Sequence, residues 1–513
     1  MPVPTPEQEA AVEAFQAGGH LVLQAGAGTG KTTTLSLLAA ATPRRGRYIA
    51  FNKSIATDAS GKFPGNVACR TAHSLAYGAV GRLYSARMNA PRIAGWKTGM
   101  ALGVNMTVRI GGRNVSNKAL SYTVLRTVTR FCQSADRTIS HHHVPRLRGI
   151  EAEETHAQLV DIVLPYAQKA WADLQHPEEG VVRFDHDHYL KIWALSEPRI
   201  AADFLLLDEA QDTNPVVEQV FNAQRDHAQL VMVGDSAQAI YGWRGARDVM
   251  TGFDGTQLSL SRSFRFGPAL AAEANRWLSI VDAPIRLDGT PTIDTQVGIG
   301  TVPAPQAILC RSNVGAMVEV MRLLEAGRRV SLVGGGSALS ALAGAAQDLK
   351  SGKRTTHPEL ILFDSWGELQ EYAEYDPAGR DLLPLVELID EHGADIILDA
   401  VARLSDEQRA DVAVSTAHKA KGREWDSVRI ADDFTGPEDK DEEDENGDPI
   451  AGDIDDAEAR LAYVAVTRAR HHIDIGGLSW INHHPAGDPD RALPRQRAAQ
   501  PTGWDTLGAA PVK

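Results

Sequence analysis

The chain has 513 residues, enough for about three or four domains, and its 43% hydrophobic content is that of an ordinary globular protein. A net charge of −14 excludes a surface coated with phosphate-binding cations. No apolar run reaches bilayer length, and the start, MPVPTPEQEA, lacks the basic flank and apolar stretch of a secretion signal, so a cytoplasmic protein with no membrane partner is expected.

Residues 5–17, TPEQEAAVEAFQA, open on Thr-Pro and carry apolar residues at 11, 12 and 15, which predicts a short amphipathic helix. Gln8 on that helix has an amide able to pair with both the donor and the acceptor edge of adenine. An apolar run at 21–23 leads into AGAGTGKT (25–32) and a helix-like run at 33–41. Strand, glycine-rich loop and helix in that order predict a phosphate-binding loop. It comprises Ala25, Gly26, Ala27, Gly28, Thr29, Gly30, Lys31, Thr32 and Thr33, with Lys31 supplying positive charge and the Thr32 hydroxyl a magnesium ligand. The usual pattern begins with Gly where this one has Ala25, so the flanking elements carry the identification. Residues 47–51 and 67–71 predict buried strands that end in the polar strings FNKSIA (51–56) and TAHSLA (71–76). Ligands gather at the carboxyl ends of strands in open α/β sheets, so these loops should share a surface with the nucleotide.

From 76 to 189 the alternation lapses into a helical insertion, with a helix predicted at 155–174. Its segment 76–150 holds twelve Lys and Arg against one acid, Asp136, which makes it a candidate surface for nucleic-acid backbone through Arg82, Arg87, Arg126 and Arg130. Histidines 141–143, 186 and 188 invite a zinc reading, but three consecutive histidines do not all face one ion from regular structure, and no zinc site is expected. Cys69, Cys132 and Cys310 are too far apart to suggest a disulfide framework or a CxxC metal site.

The sheet resumes at 204–207, ending in Asp208-Glu209, and at 229–233, ending in Gly234-Asp235. Asp208 at a strand end suits Mg²⁺, and Glu209 beside it suits the polarising of a water that attacks the γ-phosphate. Beyond 267 a second alternation predicts strands at 307–310, 330–333, 412–416, 427–430 and 473–475. This second α/β unit has no phosphate loop but carries Arg265 at its entrance and Arg468 in YVAVTRAR (463–470), two arginines able to clamp a γ-phosphate across a cleft. A smaller helical insertion is expected at 337–409. Residues 436–458, with twelve acids and one Lys, should form an exposed loop, and its faint likeness to a calcium loop fails at both ends and at Pro449. The tail after 480 is rich in Pro, Ala and Gly and should be loosely ordered.

AGAGTGKT, DEAQD (208–212), VGDSAQAIYGWRGA (233–246), SFRF (263–266), STAHKAKGREWD (415–426) and LAYVAVTRAR (461–470), in this order, resemble the superfamily 1 helicases of the UvrD/Rep type. FNKSIA, TAHSLAY and HKAKGREWD followed by DDF (432–434) are most similar to the F-box DNA helicase branch and its short bacteriophage relatives, with no F-box expected ahead of Gln8. The resemblance implies an α/β fold of two RecA-like P-loop domains with parallel sheets, each carrying a mainly helical insertion. The domains would be 1–75 with 190–262, and 263–336 with 410–480; the insertions would be 76–189 and 337–409, with a tail at 481–513. It further implies that Gln8 reads adenine, Phe264 stacks on it, Glu424 meets the ribose, Gln238 senses the γ-phosphate, and Arg265 and Arg468 stabilise the transition state. Tyr241 and Trp243 would stack on bases beside Arg244, with Phe51, Asn52, His73 and His418 also near the strand. The implied activity is an ATP- and Mg²⁺-dependent 3′ to 5′ helicase or translocase in replication, recombination or repair. It would act as a monomer on single-stranded DNA and its junctions with duplex. An ATP-gated binding or protein-displacing factor without unwinding is the alternative. The second insertion is short for the family, which makes single-strand translocation the safer expectation.

Overall fold

The computed structural model describes residues 3–89, 95–240, 248–375, 382–440, 442 and 449–487. The first helix, Pro6–Gln16, begins where Thr5 and Gln8 cap each other: the Thr5 hydroxyl accepts from the Gln8 backbone and the Gln8 side chain accepts from the Thr5 N–H. Pro6, with its preset φ and no N–H to lose, suits the first turn.

Two six-stranded sheets follow, every pairing in them parallel. The first contains β1 (Leu21–Ala25), β2 (Gly46–Ala50), β3 (Val67–Thr71), β4 (Phe204–Leu207), β5 (Gln229–Gly234) and β6 (Thr256–Leu260), in the order β3-β2-β4-β5-β1-β6. The second contains β7 (Gln296–Gly298), β8 (Ala307–Cys310), β9 (Val330–Leu332), β10 (Val412–Thr416), β11 (Trp425–Ile430) and β12 (Ala469–Asp474), in the order β7-β12-β11-β8-β10-β9. Parallel strands need crossovers and are covered on both faces, which is why β4 and β8 are apolar throughout and β5 and β10 carry the apolar runs 230–233 and 412–414. Side chains alternate between two cores: Val22, Ile49, Leu205 and Leu230 face the first insertion, while Leu23, Tyr48, Leu206 and Val231 face the helices of their own domain. The second sheet divides likewise, with Ile308, Cys310, Val412 and Val414 turned toward the second insertion.

The strands that sequence patterning does not reveal lie at the sheet edges. β6, sequence TQLSL, is largely exposed and β7 only three residues long, so neither carries an apolar run to announce it. In the first insertion a two-stranded antiparallel hairpin, Val108–Ile110 with Arg113–Val115, turns through Gly111 and Gly112, both at positive φ, the conformation tight hairpins demand. Helices Asn117–Cys132, Glu153–Leu174 and His186–Leu195 make up most of the rest. The second insertion contains helices Ser337–Lys350, Trp366–Tyr375, Leu383–His392 and Ala394–Ala402. The two insertions touch: Arg113 pairs with Glu368 and the Tyr372 hydroxyl donates to Glu151. Among the described residues, no helix is long and apolar enough to cross a membrane.

Candidate functional site

β1 ends in the glycine-rich loop because only residues free of Cβ strain can follow its path: Gly28 and Gly30 have φ of 75° and 78°. Gly28 also lies against the second unit's approach segment, where an added Cβ would come within 2.7 Å of the Arg265 Cβ, and the Phe264 N–H donates to the Gly28 carbonyl at 2.9 Å. Helix Lys31–Ala40 starts at the loop, so its unpaired N–H groups face the same space. A cleft of about 650 Å³ opens there, lined by the loop from Ala27 to Thr33, by Glu209, Asp212 and Gln238 of the first unit, and by Phe264, Arg265, Lys421, Glu424 and Arg468.

Charge at the cleft floor is self-paired. Lys31 Nζ lies 3.0 Å from Glu209 Oε2, and the Thr32 hydroxyl donates to Asp208 Oδ2 at 3.0 Å. Tyr48 donates to the same Asp208 oxygen at 2.6 Å. Burial and then the Glu209 charge push the Asp208 carboxyl up from its ordinary value. Burial also opposes ionisation of Glu209, but Lys31 and Lys421 outweigh it and hold that carboxyl well below the usual range. Glu209 has a left-handed backbone, φ 53°, a conformation costly for a residue with a Cβ and concentrated at functional sites.

Arg468 is 1% exposed and donates to the carbonyls of Val464 and Arg423 and to Gln238 Oε1, the last at 3.4 Å across the two units. Burial, and then Arg265, lower its pKa to about 9, which leaves it a cation at neutral pH. Gln238 Nε2 in turn donates to Asp235 Oδ2 at 2.6 Å. Arg265 pairs with Glu424 at 2.6 Å. Gln8 donates to the Thr34 hydroxyl at 3.0 Å, and with one amide hydrogen and one carbonyl lone pair still uncommitted by these contacts it keeps the donor–acceptor pair that adenine requires. The Phe264 ring, 48% exposed, stands 3.6 Å from where a Gly30 Cβ would lie, and Gln8 Nε2 stands 3.5 Å from the same point.

Four further participants lie inside motif strings or strands whose pattern gives them no distinct signal. Lys421 pairs with Asp212 at 2.6 Å and donates to the Gln238 carbonyl, joining the two units. Gln211 donates to Glu209 and accepts from the Asp235 N–H. Tyr463 donates to Asp235 at 2.9 Å and accepts from the Ala27 N–H at 3.1 Å, tying the second unit to the phosphate loop. Tyr48 is hidden in a strand that signals only burial.

Phe51, 51% exposed, borders the cleft and two further cavities, of about 310 and 780 Å³, that His73 also lines. Asn52 caps helix Lys53–Ser60, and His73 meets Asp187 at 3.1 Å. His418 lies half-buried in the short helix Ala417–Ala420 at the carboxyl end of β10. Tyr241, Trp243 and Arg244 lie outside the described residues. In the basic insertion Arg82, Arg126 and Arg130 are exposed, but Arg87 is not available to nucleic acid: it is 5% exposed and bound to Asp173 and to the carbonyls of His176 and Val182. His142 and His143 both reach Asp136, at 2.7 and 3.0 Å. The Ser140 N–H donates to His143 Nδ1, and Asp136, His142 and His143 bring ligand atoms within 4.8 Å of one another.

Residues 8–244 match the AAA domain family and residues 374–476 the UvrD-like helicase C-terminal domain family. F-box DNA helicase protein 1 of Schizosaccharomyces pombe is 29% identical, covering 91% of this chain and 57% of the relative. F-box DNA helicase 1 of Gallus gallus is also 29% identical, covering 89% of this chain and 47% of its own. ATP-dependent DNA helicase UvrD2 of Mycobacterium tuberculosis is 25% identical over 61% of this chain and 54% of its own. The chain thus spans about half the length of these relatives.

Proposed function

From this chain's place among the UvrD-like superfamily 1 helicases, to which it belongs and within which it stands close to the F-box DNA helicase branch, we propose that it is an ATP-driven DNA helicase. The observation that carries the reading is the cleft in which a phosphate loop on one sheet meets Arg265, Arg468 and Lys421 from the other. In this scheme 1–75 with 190–262 form the nucleotide-binding motor domain and 263–336 with 410–480 its partner. Gln8 and Phe264 hold adenine, Glu424 reads the ribose, and the loop cradles the phosphates.

Mg²⁺ fits the hydroxyl and carboxylate of Thr32 and Asp208, hard oxygen donors already 3.0 Å apart, and when bound it would neutralise charge on the phosphates. The arriving γ-phosphate takes over Lys31, which frees Glu209 to accept a proton from the attacking water. Arg468 and Arg265 stabilise charge on the transferred group, and Gln238, already joined to Arg468 and to the Lys421 cation, reports the phosphate's presence to the domain interface.

Single-stranded DNA would lie over Phe51, Asn52, His73 and His418, with Tyr241, Trp243 and Arg244 adding base stacking. Movement is proposed to run 3′ to 5′. The brevity of the second insertion, with four α-helices among its described residues within 337–409, favours a second reading: translocation that displaces bound proteins without separating long duplexes. Partial duplexes tailed at the 3′ or the 5′ end, assayed beside a translocation assay on single strands, test both. Unwinding from a 3′ tail alone is expected; unwinding from 5′ tails would overturn the polarity, and translocation without unwinding would select the second reading.

A further inference from the structure

Glu424 stands between two arginines. Its Oε2 accepts from Arg265 Nε at 2.6 Å, its Oε1 from Arg470, and Arg265 donates its other edge to the Thr467 carbonyl at 2.9 Å. Arg265 packs its backbone and Cβ against Gly28 of the loop, while the ring of Phe264, the preceding residue, lies with Gln8 beside Gly30, where the proposed reading puts the base. Glu424 lines the same cleft and is bonded to the residue after Phe264, and the proposed reading has it meet the sugar.

In this arrangement the Arg265 guanidinium, in the lining of the cleft, is paired with a carboxylate and cannot give its full charge to a phosphate. Breaking such a partly buried pair leaves the carboxylate uncompensated unless another donor replaces the first. Two replacements are at hand: Arg470, already bonded to the other carboxylate oxygen, and the hydroxyls of a ribose. We propose that Glu424 is a positioning residue for Arg265, holding it away from the phosphates until ribose hydroxyls, with Arg470, take its place, so that an intact sugar raises turnover as well as affinity. This rests on the reading that the cleft hydrolyses ATP, and it deepens that reading by making the sugar a switch for the γ-phosphate end.

The test is steady-state hydrolysis of ATP and of 2′,3′-dideoxy-ATP by the full chain in the presence of single-stranded DNA, with kcat and KM resolved. For the wild-type protein kcat should be lower with the dideoxy nucleotide by about tenfold or more, the worth of a hydrogen bond to a charged group. In Glu424→Gln the neutral amide holds Arg265 weakly, so the ratio of the two kcat values should contract to within about twofold, whatever the absolute rates. In Arg470→Ala the carboxylate keeps only Arg265, and the ratio should widen. A merely structural Glu424 would not move the ratio in opposite directions in the two variants. A wild-type sugar effect confined to KM, or a ratio unchanged in Glu424→Gln, would overturn the inference while leaving the ATPase reading intact; if Glu424→Gln does not fold, a ratio unchanged in Arg470→Ala does so. Hydrolysis of neither nucleotide by the wild-type protein would overturn both.

Discussion

Lys31 and Glu209 hold each other at 3.0 Å, so in the proposed function each masks the other's chemistry until a phosphate arrives. Lys31→Ala should therefore abolish tight nucleotide binding. Glu209→Gln should bind ATP and turn it over about 10²- to 10⁴-fold more slowly, the usual worth of a general base. Equilibrium binding of a fluorescent nucleotide beside single-turnover hydrolysis checks both, and near-normal turnover in Glu209→Gln would remove it as the base. Arg468→Ala should cost about 10³- to 10⁵-fold in basal and stimulated hydrolysis while DNA affinity persists. A second residue-scale expectation concerns Lys191, fully buried beneath the Phe131 ring at 4.3 Å, with Nζ bonded to the carbonyls of Ser134 and Asp136. Burial lowers its pKa from 10.5 to about 8. Between those values the unfolded chain binds more protons than the native protein, so this residue's contribution to stability rises as pH rises from 8 to 10.5, by up to about 3 kcal/mol. Denaturant unfolding of wild type and Lys191→Met at pH 7.5 and 10 should show the gap between them shift in the wild type's favour at the higher pH; a pH-independent gap would refute it.

At the level of the element, helix Asn117–Cys132 turns Val124, Val128 and Phe131 into the core and leaves Lys118, Arg126 and Arg130 outside at helical spacing. A basic stripe on one face, in a segment with Asp136 as its sole acid, is the arrangement expected of a backbone-binding surface. Replacing Arg82, Arg126 and Arg130 with Ala should flatten the dependence of log K on log salt for single-stranded DNA by up to about 0.7 for each phosphate no longer neutralised. An unchanged slope, measured by fluorescence anisotropy, would reduce the stripe to a solvated face. Arg87, nominally part of the same charge, is a staple between the helices of the insertion and belongs to a stability experiment instead: Arg87→Ala removes the ion pair with Asp173 and the donor to the carbonyls of Asp173, His176 and Val182, and should cost about 3–5 kcal/mol.

Across the whole molecule the two α/β units are joined at the cleft by Lys421–Asp212, Tyr463–Asp235 and Arg468–Gln238, and at their insertions by Arg113–Glu368 and Tyr372–Glu151. In the proposed function, nucleotide entering the cleft would rearrange the first set of these and so couple hydrolysis to a change of grip on DNA. Gln238 touches Arg468, Asp235 and Lys421, so Gln238→Ala should lower DNA-stimulated ATPase by about tenfold or more while ATP affinity changes far less. Trp243→Ala, further along the same motif, should reduce the stimulation by DNA more than it reduces basal hydrolysis. Equal loss of both activities in the two variants would argue against coupling through this segment.

The linear chain determined the parts whose chemistry is local. A phosphate loop needs glycine at positive φ followed by Lys and Thr, buried parallel strands need unbroken apolar runs, and both are written in consecutive residues such as 21–32 and 204–209. The family and the α/β class were legible for the same reason. Tertiary structure decided what depends on distance. It set Lys421 against Asp212, far apart along the chain, and Tyr463 against the phosphate loop; it withdrew Arg87 from the surface and placed edge strand β6 beside β1 with little hydrophobic signal of its own. Composition counts a charge wherever it falls, but only the folded chain decides whether that charge meets water, a carboxylate or a phosphate.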